Sequence, residues 1–214
     1  MKPADVVWNE IYHTGKSGEK TLLREPSSFA LSVAKLLKPG QKVLEFGCGN
    51  GRDATYFHEM LHLEVHGTDI SQTAVEQCRN ACPGATFAVQ SFTDLPTPYD
   101  DTQFDVIYSR FTLHSVGEAE ASRALRWAYD NLCPGGLLLI EVRSTRDLMY
   151  GVGQAVPGER NAFINHHYRR FIICEELISE VHALGFKVEF QQEADNLSPH
   201  GADNPVLIRL HLRR

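Results

Sequence analysis

Residues 43–53 read VLEFGCGNGRD: an aliphatic run, an acid and a phenylalanine lead into glycines at 47, 49 and 51. Near-continuous apolar residues, as in KVLEF, mark a strand covered on both faces, the habit of a parallel sheet. Glycines at every second position then let the backbone turn tightly and come close to a ligand without Cβ clashes. The RDATYFHEMLH segment that follows has helical period, with Ala54, Phe57, Met60 and Leu61 on one stripe. A buried strand, a bare turn and an amphipathic helix in that order confine the chain to an α/β fold.

The rest of the chain repeats the theme. LEVHGTDI reads as a second strand, and SQTAVEQCRNAC as a helix capped by Ser71 and stopped by Pro83-Gly84. TFAVQSF, FDVIYSRF and GLLLIEVRS give the third, fourth and fifth strands, the last following the CPGG turn at 133–136, with a helix over EAEASRALRWAYDNL before it. The end reads CEELISEVHALGFKVEFQQEA, helix then strand, and PVLIRLHLRR, a final alternating strand. Such units with right-handed crossovers build a doubly wound sheet, whose ligands sit at the carboxyl ends of the strands. The expectation is one domain over residues 1–214. A helical preface spans 1–41, with a helix over SSFALSVAKLL. The long polar connection 144–170 reads as a substrate lid or binding loop.

At 214 residues the chain suits one sizeable core, and its net charge of −6 argues against a broad nucleic-acid footprint. No apolar run is long enough for a membrane span, and the first ten residues lack a signal-peptide apolar region, so a cytoplasmic location is expected. The five cysteines, at 48, 78, 82, 133 and 174, lack metal-site or disulfide-framework spacing, and no metal site is expected. His58, His62 and His66 stand at four-residue steps, but the helix should end before His66.

What the glycine turn holds follows from its acids. A pyrophosphate-binding turn would be GxGxxG; here the spacing is GxGxG, and Glu45 stands two residues before the first glycine. A carboxylate there repels a pyrophosphate and suits an ammonium group. Asp69 ends the second strand, 18 positions beyond Gly51, where an acid accepts hydrogen bonds from ribose hydroxyls. S-Adenosyl-L-methionine carries both an ammonium and a ribose. The competing readings are a turn without ligand and an aspartate that only caps a helix.

These stretches, with FTDLP, FDVIYSRFTLH and CPGGLLLIEVRS, resemble in order the motifs of class I S-adenosylmethionine-dependent methyltransferases over about residues 42–143. The WNEIY near the start is similar to the tellurite-resistance and thiopurine type, and YSRFTLH, EVRS, HYRRF and DNPVLIR resemble methyltransferases associated with surface polysaccharides. The resemblance implies a Rossmann-like, seven-stranded, mostly parallel sheet with an antiparallel last strand inserted at one edge. It also implies that Glu45 and the backbone of Gly47, Cys48 and Gly49 hold the methionine end, that Asp69 takes the ribose, and that Ile70 packs on adenine. Ser91 stands where family members often carry an acid, which weakens that adenine contact, and Phe92 supplies ring packing. Ser109 would offer its carbonyl to the ammonium.

Methyl transfer from a sulfonium needs positioning and, for a hydroxyl nucleophile, a base. His114 follows the fourth strand and is a candidate base, or else a hydrogen-bonded loop histidine; His166, His167 and Tyr168 are rivals. Arg110 and Arg143 stand just past the ends of the fourth and fifth strands, and Arg169 and Arg170 close the long connection. Their convergence would suit an anionic small molecule: a phosphorylated or nucleotide-linked sugar, or a carboxylate. The competing reading pairs them with Glu45, Glu141 or Asp147. An NAD(P)-dependent oxidoreductase shares the sheet but needs GxGxxG, and an idle cofactor- or partner-binding domain would not need so many cleft arginines and histidines. The sequence leaves monomer and homodimer both open.

Overall fold

The computed structural model describes residues 3–13, 25–96, 103–199, 201 and 203–214. Of the 1–41 preface, residues 1–2 and 14–24 therefore lie outside the described residues. Seven strands form one sheet in the order β3-β2-β1-β4-β5-β10-β9, and three short strands form a second sheet, β6-β7-β8. The seven-stranded sheet is mostly parallel at one side and ends in antiparallel strands, the α/β arrangement that the resemblance implies. The chain divides into two compact units, Met1–Leu95 and Pro96–Arg214.

The first unit holds α1 (Ala4–His13), α2 (Ser28–Val33), β1 (Lys42–Phe46), α3 (Arg52–Glu59), β2 (Glu64–Asp69), α4 (Gln72–Ala81) and β3 (Thr86–Val89). Val43, Leu44, Phe46, Val65 and Phe87 bury the strands, and Phe57, Ala74 and Val75 are the helix residues beneath them. Strand β1 runs parallel to β2, with Glu45 opposite Gly67. Helix α2 continues as a 3-10 turn over Ala34–Leu36, and Ser27 caps it by accepting from the Ala30 amide at 3.0 Å. Ser27 is itself tied to the start of α3: its amide and hydroxyl donate to Asp53 at 2.6 and 2.7 Å. Asp53 is thus a structural partner of the preface. The stripe expected on α3 is shorter than its sequence period, because the helix ends at Glu59 and leaves Met60 67% exposed.

The second unit holds β4 (Phe104–Arg110), α5 (Glu118–Asn131), β5 (Leu132–Arg143), β6 (Gln154–Ala155), β7 (Ala162–Asn165), β8 (His167–Arg170), α6 (Cys174–Leu184), β9 (Lys187–Ala194) and β10 (Leu207–Arg213). Strand β10 runs antiparallel between β5 and β9, as the resemblance implies. Two expectations are corrected. Strand β5 begins at Leu132, because CPGG is absorbed at a register shift against β4 between Phe104 and Val106. The 144–170 connection is not irregular throughout: β6, β7 and β8 pair antiparallel within it, and Tyr150, Phe163 and Phe171 pack edge to face. Short aromatic strands of two to four residues carry too little period to be read as strands.

Candidate active site

The glycine turn comes first. Gly47, Gly49 and Gly51 all adopt left-handed backbone, with φ of 64°, 54° and 75°. L side chains rarely take that conformation, so the alternate glycines are a backbone requirement. Space adds to the demand: a Cβ on Gly49 would fall 2.6 Å from the Tyr12 hydroxyl, and one on Gly51 would fall 2.9 Å from Cys78 Sγ. The Cys48 amide donates to Thr68 O at 2.9 Å, fixing the turn to β2, and the Cys78 thiol donates to Gly49 O at 3.2 Å.

Asp69 organises this turn. One carboxylate oxygen accepts from the Gly49 amide and the other from the Ser71 amide, each at 2.9 Å. Ser71 in turn caps α4 by accepting from the Ala74 amide at 3.1 Å. The acid at the end of β2 therefore joins the glycine turn to the next helix start. Burial raises its pKa, and the backbone donors partly offset that rise. Each carboxylate oxygen retains a second lone pair, so the geometry accommodates a hydroxyl donor as well. Glu45 is buried, Ile70 is half-buried, and Phe92 stacks on Phe46 with centroids 5.5 Å apart. Ser91 Oγ is paired with Thr93 Oγ1 at 2.8 Å.

Sequence reasoning missed how α1 reaches this site. Asn9 Oδ1 accepts from the Ser71 hydroxyl at 2.8 Å and from the Thr73 amide at 3.2 Å, and Gln77 donates to Tyr12 O at 3.3 Å. Helix α1 is thereby fastened to α4 with the Tyr12 hydroxyl against Gly49. Burial, then the charge of Asp69, raises the Tyr12 pKa, so the phenol stays neutral. The WNEIY stretch was the available signal, read only as a family marker.

The remaining candidates belong to the second unit. Ser109 is buried, its hydroxyl 2.6 Å from that of Thr112. His114, also buried, accepts at Nδ1 from the Arg143 amide at 3.2 Å. A backbone N–H only donates, so the neutral ring carries its proton on Nε2. Burial, helped by Arg169, Arg143, His167 and Arg170, holds the His114 pKa well below its ordinary value. His167 behaves alike: burial and Arg169 lower its pKa to about 4. His166 is exposed, with φ of 66°. Tyr168 donates to Glu159 at 2.5 Å, and burial followed by that carboxylate raises its pKa.

The arginines do not share one empty cleft. Arg110 Nε lies 3.0 Å from Glu141, which also receives Arg209 Nε at 2.6 Å, and the Arg110 guanidinium stacks over Phe111 at 4.2 Å. Arg143 is paired with Asp147 at 2.9 Å and with Asp203. Arg170 donates to the carbonyls of Val116 and Leu113, at 3.2 and 3.4 Å. Glu141 and Asp147 are the partners that the competing sequence reading names; Asp203, sixty residues from Arg143, escapes it.

Known proteins resemble this chain in sequence over about half to two thirds of its length and in fold over most of it. Residues 43–136 match the family described as "Methyltransferase domain". Phosphoethanolamine N-methyltransferase 1 of Arabidopsis thaliana is 38% identical over 106 residues, which cover 49% of this chain and 21% of that one. The 27-O-demethylrifamycin SV methyltransferase of Amycolatopsis mediterranei is 28% identical over 144 residues, 64% of this chain and 52% of that one. The chain thus spans about a fifth to a half of the length of these relatives. Among solved structures, the CcbJ methyltransferase from Streptomyces caelestis has the same fold, with a TM-score of 0.76 at 15% identity over 99% of both chains. A Burkholderia thailandensis 1,6-didemethyltoxoflavin-N1-methyltransferase, solved with S-adenosylhomocysteine, gives 0.70 at 20% identity over 100% of this chain and 92% of that one. The left-handed glycine turn and its carboxylate brace thus lie within the stretch that is similar to the methyltransferase-domain family, on a fold shared with solved methyltransferases.

Proposed function

We propose that the protein methylates a small anionic molecule with S-adenosylmethionine. The observation that carries the anionic reading is the charge at the ends of β4 and β5. There the guanidiniums of Arg110, Arg143, Arg169 and Arg209 face three carboxylates, Glu141, Asp147 and Asp203, in a chain of net charge −6. A cationic excess in an acidic protein attracts anions. Relatives named phosphoethanolamine N-methyltransferases, whose substrate name includes a phosphate, support the same class.

In this reading Gly47, Cys48 and Gly49 present bare backbone to the methionine end, Glu45 meets its ammonium, and Asp69 receives the ribose hydroxyls beside the two amides it already binds. Ile70 and Phe92 give the adenine its apolar contacts. The cofactor supplies an electrophilic methyl on a sulfonium. Transfer then depends on the approach line of the acceptor and on exclusion of water. His114 takes part as a donor through Nε2–H, because its Nδ1 is already occupied and the ring resists a second proton. A substrate that needs a base must find it elsewhere, or react through an atom that is already a free lone pair.

The test is transfer of a labelled methyl group to matched pairs of acceptors: phosphomonoesters, nucleotide sugars and carboxylates, each beside its neutral counterpart. Turnover confined to the charged members supports the reading. Equal turnover of the neutral members, with intact cofactor binding, would remove the anionic requirement and leave the methyltransferase reading in place.

A further inference from the structure

Three of the arginines that stand out in the sequence are held by carboxylates or carbonyls. The fourth is not. Arg169 lies on β8 opposite Phe163 of β7, and its Nη2 is 3.0 Å from His167 Nε2. Its Nε is buried and has no hydrogen-bond partner among the described residues. A guanidinium is a donor only, with five N–H groups in a planar fork, and it stays charged in proteins. Its contact with His167 therefore makes Nε2 of that ring the acceptor and places the ring proton on Nδ1.

The surroundings explain why no acceptor among the described residues serves it. The nearby carboxylates Asp147 and Asp203 are both taken by Arg143, and they act on Arg169 only through their charge. Burial and the neighbouring Arg143 both disfavour the cation at this position. A buried N–H without an acceptor, on a charged group beside a second charge of the same sign, is costly unless something else completes it. The missing partner is an acceptor with negative charge.

We infer that Arg169 is the oxyanion-binding group of the substrate site, its Nε–H and fork receiving a phosphate or carboxylate oxygen, with His167 holding the guanidinium in place. Planar, paired donors match the oxygens of both groups, which a lysine ammonium does not. This assignment rests on the anionic-substrate reading above and goes further, naming the residue that reads the charge. It also gives Arg110, Arg143 and Arg170 structural work in place of the substrate clamp.

The experiment uses the full chain with S-adenosylhomocysteine present and titrates inorganic phosphate and, separately, acetate by calorimetry. Wild type is compared with Arg169→Gln, Arg169→Lys and, as a control removing the same charge elsewhere, Arg146→Gln, whose side chain is exposed and paired with Glu193. Saturable binding of phosphate or acetate is expected in wild type and in Arg146→Gln. The stronger of the two identifies the anion. The dissociation constant should rise by about tenfold to a hundredfold in Arg169→Gln and about tenfold in Arg169→Lys, which keeps the charge and loses the fork. Binding of S-adenosylhomocysteine should stay within about twofold in all variants and reports that they fold. Phosphate binding by Arg169→Gln at wild-type strength would overturn the assignment and leave the anionic reading standing. Wild type that binds S-adenosylhomocysteine but neither anion would overturn both. Loss of S-adenosylhomocysteine along with the anion in the Arg169 variants would mark the residue as scaffold.

Discussion

Replacing Arg143 by Met separates a scaffold arginine from a substrate clamp. Its guanidinium is 2.9 Å from Asp147 Oδ2, and the two side chains are 6% and 1% exposed. At that distance and an effective dielectric near 20, the gross attraction is about 6 kcal/mol, most of it offset by the desolvation of both groups. Deleting one partner is different, because the other charge stays buried: such losses run to about 3–5 kcal/mol. Asp203, at 46% exposure, adds less than about 1 kcal/mol. Arg143→Met should therefore lose about 3–5 kcal/mol in urea unfolding, a large part of ordinary domain stability of roughly 5–15 kcal/mol. The double variant Arg143→Met/Asp147→Leu removes the stranded charge and should recover much of the loss. Recovery will be incomplete, since Asp147 Oδ1 also accepts from the Met149 amide at 2.7 Å. A coupling of at least about 2 kcal/mol between the two sites is expected. If Arg143→Met costs under about 1 kcal/mol, the pair is not a buried one and Arg143 returns as a candidate clamp.

Two further outcomes follow from the same geometry. Asp69→Asn offers one amide oxygen where the carboxylate served both Gly49 and Ser71, so one buried N–H is stranded; unfolding should show a loss of about 1.5–3 kcal/mol, and calorimetry a fall in S-adenosylhomocysteine affinity of about tenfold or more. Unchanged values in both would remove Asp69 from its organising role. His114 and His167 are both held neutral in the fold, with His167 near 4. The unfolded chain takes up those protons first as pH falls, so the stability they confer is complete above about pH 6.5 and declines toward about pH 4. His167 is partly exposed, so its share after solvent screening is about 1–2 kcal/mol. His167→Gln should lose correspondingly less stability than wild type between pH 7 and 4.5; equal losses would contradict the assignment.

Much of the fold is legible in the sequence because its signals are local. KVLEF and FDVIYSRF are largely apolar runs, LEVHGTDI is a short β-rich one, and the helices between them call for right-handed crossovers. The antiparallel direction of PVLIRLHL comes only with the family resemblance. The glycine turn is equally local: three residues with positive φ must be glycines or strained. What the sequence hides is long-range. Arg143 and Asp203 are sixty positions apart, and no spacing rule joins them. The Arg143 amide that fixes the His114 tautomer comes from the end of β5, twenty-nine positions away. Tyr12 reaches Gly49 because Asn9 happens to fasten α1 to α4. Met60 has the right period for its stripe, but helix length decides its exposure, and boundaries are set by the last turn's packing.

The central claim is that the left-handed glycine turn and Asp69 form a site for S-adenosylmethionine. Calorimetric titration of the full chain with S-adenosylhomocysteine tests it most directly, with Gly49→Val as the paired variant. A valine there needs φ near 54° and places its Cβ 2.6 Å from the Tyr12 hydroxyl. Saturable binding by the wild type, its loss in Gly49→Val, and no binding of NADH by the wild type are the predicted results. A wild type that binds NADH and not S-adenosylhomocysteine would contradict the account.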